Sequence, residues 1–263
     1  MAAFVAWFSA QKKPAVALMP DAEGAIGASG SRLGGPAWLP EGERWPVDAA
    51  GDKLEFLAQL DMADCTALEG YPARGVVQFF IGNDDVFGAD FSNFKGGALL
   101  GGKRLVRMVD PAQPGALHPQ PALADSGADR RADFTPFESL ETREHGIALR
   151  PEPFTNRMGV NIAEAEQRLL PWYRDYKCDA LFDWLDEDAQ RHRTIHHTGG
   201  YPAYTQVDIR GYEAYAEFDH VLLRLTSDEH LLWGDVGECV FLIRSADLAR
   251  GDFSRVVYSW DCS

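Results

Sequence analysis

The feature that most constrains the fold of this chain is a set of apolar segments that occurs twice in the same order. Each copy contains a Gly-Gly turn followed by two apolar runs of strand length. The copies are residues 33–38, 56–60 and 77–81 in the first half and residues 198–204, 221–225 and 239–243 in the second. The glycine pairs begin at Gly34 and Gly199, an offset of 165, and the last runs are offset by 162. A conserved order with a nearly constant offset predicts an internal duplication.

The repeated runs have the composition of β-strands. They are rich in β-branched and aromatic residues and are bounded by Gly, Pro or Asp, which are the usual strand and turn signals. A fainter match between residues 103–107 and 254–258 adds a third strand to each unit. Two copies are too few for a solenoid, which needs at least three. The pattern therefore predicts two similar half-sheets that share one core.

The middle of the chain has a different character. Residues 111–137 are rich in Pro, Ala, Asp and Gly, which indicates a loop. Residues 162–191 carry apolar residues at helical spacing, and Pro171 is expected to end or kink the first helix. Strands, then helices, then strands predict an α+β fold. We expect one domain over residues 1–263, with pseudo-repeat 1 at about 15–110, a loop and helical insert at about 111–193, and pseudo-repeat 2 at about 194–263.

The charge of the chain limits its partners. There are 40 Asp and Glu residues and 25 Lys and Arg residues, so the formal net charge is −15. Such a surface repels phosphate backbones, and we predict no binding to nucleic acid. A basic protein would instead be attracted, with faster encounter at low salt. The alternative is that the acidity only keeps the protein in solution.

Cysteine usage and the N-terminal residues predict a cytoplasmic protein. The four cysteines are scattered without a CxxC pair, which is typical of reduced thiols in the cytosol. The first apolar run is short, has no preceding positive charge and is followed by Lys12 and Lys13, the wrong order for a secretory signal. We expect a docking helix there that carries Phe4, Val5, Trp7 and Phe8, and no membrane association.

Several of these segments together are similar to one known family. The segments are LGGPAWLP at 33–40, Trp45-Pro46, FLAQLD at 56–61, VQFFI at 77–81, HHTGGYP at 196–202, LLWGD at 231–235, FLI at 241–243 and DFSRVVYSWDC at 252–262. As a set they resemble the bacterial YwqG-like family over nearly the whole chain. The resemblance implies an α+β fold built by duplication, in a family without a known activity. Some relatives lie near loci for secreted toxins, which implies immunity-type inhibition.

The histidines near the centre invite a metal hypothesis. His192 and His196 are four residues apart and would share a helical face, with His197 beside them and Cys178 upstream. The glycine pair that follows indicates that the chain has already left the helix, so we predict no metal site. No cofactor is expected either. The phosphate-loop spacing at residues 97–103 continues with Arg104 where Ser or Thr is needed.

Polar and aromatic residues on or beside the repeated strands are the candidates for ligand binding. Gln59 and Arg224 occupy equivalent positions between leucines, where a buried polar group without a partner costs about 1–3 kcal/mol. The alternative is that these side chains satisfy strand ends and face solvent. The candidates are Trp38, Gln59, Gln78, His197, Tyr204, Arg224, Trp233 and Asp235, and the structural turns are Gly34, Gly35, Gly199 and Gly200.

Three functional hypotheses follow from the sequence. The leading one is a non-catalytic binding protein that neutralises a basic protein partner. The second is a small-ligand-binding protein with a cleft between the two halves, formed by Gln59, Arg224 and the aromatic turns. The third is an enzyme of unrecognised type, for which no Gly-x-Ser-x-Gly motif or other nucleophile motif identifies catalytic residues. The oligomeric state is not determined by the sequence.

Overall fold

Strands dominate the part of the chain that the structure, a computed structural model, describes: residues 2–122, 134–159, 161–173 and 195–263. The strands are β1 Lys12–Asp21, β2 Arg32–Leu33, β3 Ala37–Pro40, β4 Glu55–Asp61, β5 Val76–Ile81, β6 Arg104–Val109, β7 Gly115–His118, β8 Ile147–Arg157, β9 His197–Gly199, β10 His220–Thr226, β11 Glu238–Ile243 and β12 Val257–Asp261. The helices in these ranges are α1 Ala2–Ala10, α2 Leu140–His145, α3 Ala163–Tyr173 and α4 Ser245–Leu248.

Ten of the strands form one antiparallel sheet that curls into a nearly closed barrel. Its order is β12-β11-β10-β9-β1-β8-β2-β4-β5-β6, while β3 and β7 form a separate pair. Arg104 on one edge strand donates from Nε to the carbonyl oxygen of Val256 beside the other edge strand, at 2.9 Å. Such closure protects the edges of a sheet from unwanted pairing.

The α+β class predicted from the sequence is wrong, because the protein is mostly β. In the described residues the helices are short, and the region taken as an insert contributes β8, an 11-residue central strand of the sheet. It also contributes β7, which pairs with β3. The predicted helical region is described only as far as Tyr173, where α3 has continued through Pro171. The rest of that region, to residue 191, lies outside the described residues.

The two longest strands, β1 and β8, contain prolines, which weaken the strand signal in the sequence. β1 pairs with β8 along its whole length, and β8 includes Pro151 and Pro153. Proline cannot donate to a ladder and normally argues against a central strand. Leu149, Pro151 and Pro153 are alternate residues of β8, so their backbone nitrogens face the same side of the strand. Leu149 donates its N–H to the carbonyl oxygen of Ser31, which is on the side away from β1. β2 lies on that side and pairs only with residues 147 and 148 of β8. The prolines are therefore beyond the end of β2, which does not need an N–H group from them.

The barrel interior is an apolar core shared by both halves of the sheet. Phe79 of β5 and Phe241 of β11 meet there with ring centroids 4.9 Å apart. On the outer face of the second half, α1 packs through Phe4 and Phe8, as the sequence predicts for a docking helix. In the described residues no helix has the length and apolarity needed to cross a membrane.

The duplication stays a prediction, and three properties of the sheet support it. Outward from the central pair β1–β8, each side carries one short strand and then three longer ones. A β-bulge interrupts β4 between Phe56 and Ala58 and β10 between Val221 and Leu223, again 165 residues apart. Phe79 and Phe241, which meet in the core, are 162 positions apart, the same offset as the apolar runs that contain them.

Candidate functional site: an acidic pocket at the end of the central strands

A surface pocket of about 370 Å³ lies where the central strands β1 and β8 meet the second half of the chain. β1 ends at Asp21, which pairs with Ala148 near the start of β8. The loop that carries Glu229 and His230 reaches the pocket from the second half, since Glu138 donates its N–H to the His230 carbonyl oxygen at 3.0 Å. The lining residues are Asp21, Ala22, Gly24, Ser139, Glu141, Thr142, His145, Gly146, Ile147, Ala148, Glu229 and His230. We call this site the acidic pocket.

The charges around the acidic pocket are almost all negative. Its lining segments, residues 21–24, 139–148 and 229–230, contain five Asp or Glu residues and one Lys or Arg residue. That single cation, Arg143, is 2% exposed and forms an ion pair with the buried Glu55. Its charge is therefore already neutralised away from solvent. The accessible charge of these segments is that of their carboxylates, with the imidazoles of His145 and His230 beside them.

Close glycine packing fixes the helix that forms one wall of the pocket. α2 begins after Ser139, whose Oγ accepts the Thr142 N–H at 3.1 Å. The turn at Gly34 and Gly35 packs against the carbonyl oxygens at the end of α2, and Gly35 donates its N–H to the Arg143 carbonyl oxygen at 3.0 Å. All four glycines of the two predicted turns have positive φ, as their turn chemistry predicts.

Hydrogen bonds order the side of the pocket that belongs to the second half. Asp228 Oδ1 accepts the N–H groups of His230 and Leu231 at 2.8 and 2.9 Å, and its Oδ2 lies 3.0 Å from His196 Nε2. Burial by itself would raise the pKa of the Asp228 carboxyl, but these donors outweigh burial and lower it. Thr142 Oγ1 lies 3.3 Å from His230 Nδ1, which links this loop to α2.

The His196–Asp228 pair resembles part of a catalytic triad, but both imidazole nitrogens are occupied. Nδ1 of His196 accepts the Thr226 N–H at 3.1 Å, so Nε2 carries the hydrogen that is donated to Asp228. His196 is also 2% exposed. A general base needs a free nitrogen within reach of a substrate proton. This pair therefore acts as a structural link between β9 and the loop after β10.

The eight predicted ligand-binding residues do not meet at one place. Gln59 and Gln78 lie on the outer face of the first half and are fully buried: Gln59 donates to the Gly30 carbonyl oxygen at 2.8 Å, and Gln78 donates to that of Trp38 at 2.9 Å. Arg224 lies on the second half, where it pairs with Glu238 and donates to the Ile195 carbonyl oxygen at 2.9 Å.

The aromatic candidates and their neighbours are also dispersed. Trp233 is in the barrel core against Phe87, whereas Asp235 is exposed in the turn that follows. Tyr204 is buried under the second half, and His197 Nδ1 contacts the Gly199 carbonyl oxygen at 3.1 Å. None of the eight lines the acidic pocket. Their role in ligand binding stays a prediction.

The residues that form the acidic pocket carried no sequence signal of their own. Asp21, Glu141 and Glu229 are three of 40 acidic residues, and they come from three separate segments. The pairing of β1 with β8 places Asp21 beside the segment after α2, and the bridge between Phe137 and Leu231 brings the Glu229 loop to the same place. The metal hypothesis for His192 and Cys178 concerns residues outside the described ranges. Within those ranges no group of three or more His, Cys, Asp or Glu side chains is placed to hold a metal ion.

A family comparison identifies the class of protein to which this barrel-like sheet belongs. Residues 31–262 match DUF1963, a domain of unknown function. Because the match covers most of the chain, the protein belongs to the DUF1963 family. The predicted membership in an uncharacterised domain family is confirmed at this level. No curated protein matches the chain.

Proposed function

We propose that this protein is a non-catalytic binding protein that takes a basic protein partner at the acidic pocket. The observation that carries the proposal is the charge of the pocket-lining segments, where the one Arg is buried and paired and the carboxylates are accessible. Lysine and arginine side chains of a partner would find carboxylate acceptors there, and charge-assisted hydrogen bonds are the strong ones. The net charge of −15 extends the attraction beyond the pocket.

Three potentially reactive groups in the described residues, the thiols of Cys65 and Cys239 and the imidazole of His196, support a non-catalytic role. Burial raises the pKa of the Cys65 thiol to about 12, so its nucleophilic thiolate is scarce at neutral pH. Burial also raises the pKa of the Cys239 thiol. His196, as described above, has no nitrogen available to a substrate.

The resemblance to YwqG-like proteins suggests a biological setting for such binding. An immunity-type inhibitor must meet a toxic partner quickly, and electrostatic steering raises association rates more than it raises affinity. We therefore propose a cytoplasmic inhibitor of a basic protein. A native partner that proved to be acidic would contradict this proposal.

Reversing two charges at the acidic pocket tests the proposal. We expect the Glu141→Lys/Glu229→Lys variant to bind a short oligolysine peptide with an association rate about tenfold lower than that of the unaltered protein. Dissociation should change less, because exposed charges act mainly through long-range attraction. Raising the salt concentration from about 10 mM to about 150 mM should remove most of the difference, since the Debye length falls from about 30 Å to about 8 Å. Stopped-flow fluorescence with a labelled peptide measures both rates.

The matched control reverses two exposed glutamates outside the pocket. Glu69→Lys/Glu213→Lys changes the net charge by the same amount, and both side chains are exposed. This control should slow association by less than about threefold. Equal slowing in the two variants would mean that only the overall charge matters, and the proposed site would be wrong.

A further inference from the structure

A second pocket, of about 320 Å³, lies along the edge strand β12 and has aromatic walls. Phe91 and Trp260 stand nearly perpendicular at 79° with ring centroids 5.9 Å apart, and Phe94 lies 6.2 Å from Phe91. All three rings are half-buried. The lining residues are Phe91, Phe94, Gln206, Val207, Ile209, Ser259, Trp260, Asp261 and Cys262. We call it the aromatic pocket.

The one charged side chain among these lining residues is Asp261. Its Oδ1 and Oδ2 accept the backbone N–H groups of Thr205 and Gln206 at 3.1 and 2.9 Å. In the described part of the chain, no Lys, Arg or His forms an ion pair with it. Burial raises the pKa of this carboxyl to about 6; the backbone N–H groups of Gln206, Thr205 and Val207 oppose the shift, and the nearby Glu238 adds to it. At pH 8 it is therefore ionised, and no residue in the described ranges serves as its counter-ion.

We propose that the aromatic pocket binds an organic cation of the methylated ammonium class. The faces of aromatic rings attract cations, and a carboxylate in the same pocket supplies the opposite charge. A neutral apolar ligand would bury the Asp261 carboxylate further without compensating it. A primary ammonium is strongly hydrated and needs more acceptors than one carboxylate, whereas methyl groups match the aromatic walls.

Two cations close to the pocket in sequence, Lys95 and Arg210, contact other residues. Lys95 follows Phe94 in the chain, but its Nζ lies 5.6 Å from the centre of the Tyr212 ring, and Tyr212 is not a lining residue. Arg210 is held by Asp208 at 2.7 Å. The volume lies at the lower end of the range for small-ligand pockets, which suits a trimethylammonium group and a short chain. The inference is independent of the proposed function, because the two pockets share no lining residue.

Choline and its neutral carbon isostere, 3,3-dimethylbutan-1-ol, test the inference at pH 8. Titration followed by NMR or calorimetry is expected to show binding of choline and at least tenfold weaker binding of the isostere. Asp261→Asn should weaken choline binding about tenfold, and Phe94→Ala about fivefold. Glu69→Gln, which removes one exposed carboxylate outside the pocket, should change it less than twofold. Circular dichroism establishes that each variant is folded.

Two sources of such a cation can be distinguished in the same assay. A peptide with trimethyllysine that binds more tightly than choline, while its unmodified form does not bind, assigns the pocket to a modified partner protein. Choline binding without a gain from the peptide assigns it to a free small molecule. Equal binding of choline and its isostere, or binding of neither, would overturn the inference, as would Asp261→Asn and Phe94→Ala variants that bind like the unaltered protein.

Discussion

Arg143→Met is expected to lower the free energy of unfolding by about 3–5 kcal/mol, because it leaves a buried carboxylate without its cation. Arg143 and Glu55 are 2% and 1% exposed and form an ion pair through Nε and Oε1. Burial raises the pKa of Glu55 and Arg143 opposes that shift, with Thr135 and Asn83 adding smaller effects. Urea unfolding followed by circular dichroism measures the loss.

The pH dependence of the Arg143→Met variant provides a second test of the same pair. Without the guanidinium the pKa of Glu55 rises further above its ordinary value of 4.5, so the folded variant binds a proton that the unfolded chain has released. Its stability should therefore fall as pH increases from 4.5 toward neutrality. A variant equally destabilised at pH 5 and pH 8 would show that lost packing, rather than the unpaired charge, is the cause.

Two further variants separate charge from packing. The Glu55→Gln/Arg143→Met double variant removes both charges and should be more stable at pH 8 than Arg143→Met alone. Arg150→Met removes one partner of the exposed pair with Glu152, whose side chains are 57% and 48% exposed, and should cost less than about 1 kcal/mol.

The sequence predicted the repeated strands better than it predicted the fold that they form. The strands at 55–61, 76–81, 220–226 and 238–243 match the apolar runs read from the sequence. The fold class failed at β1 and β8, where prolines weakened the strand signal. Their pairing joins residues 127 to 145 positions apart, from Asp21↔Ala148 to Lys12↔Arg157, and no local pattern reports such a contact. Because the sequence patterns did not indicate the central pair β1–β8, they predicted an insert in the middle of the chain.

The candidate residues illustrate what sequence reasoning can and cannot locate. Polar residues inside apolar strands are unusual in the sequence, because a buried polar group needs a partner. Gln59 and Arg224 have such partners in the backbone segments that cover the outer faces of the sheet. A polar position on a strand thus reports either a ligand or a covering loop, and only the tertiary structure distinguishes them. Asp261 had no distinguishing signal, since its significance depends on Phe91 and Phe94 from the other half of the chain.

Gly34→Ala is expected to destabilise the protein by about 2–4 kcal/mol, because two unfavourable effects coincide at this position. Its φ of +56° is strained for a residue with a side chain, which costs about 1–2 kcal/mol. An added Cβ would also lie 2.4 Å from the Thr142 carbonyl oxygen at the end of α2. That oxygen accepts the Gly146 N–H at 2.9 Å, so relieving the overlap requires α2 to move. Denaturant unfolding measures the cost.

Gly251→Ala isolates the backbone strain from the steric overlap. Gly251 has a similar φ of +66°, but its added Cβ would make only an ordinary contact with Met108 at 3.7 Å. It should therefore cost about 1–2 kcal/mol. Because α2 lines the acidic pocket, Gly34→Ala should also weaken oligolysine binding, and Gly251→Ala should not. Equal losses of stability in the two variants, with unchanged peptide binding in both, would show that the close packing of Gly34 against α2 shapes neither the fold nor the site.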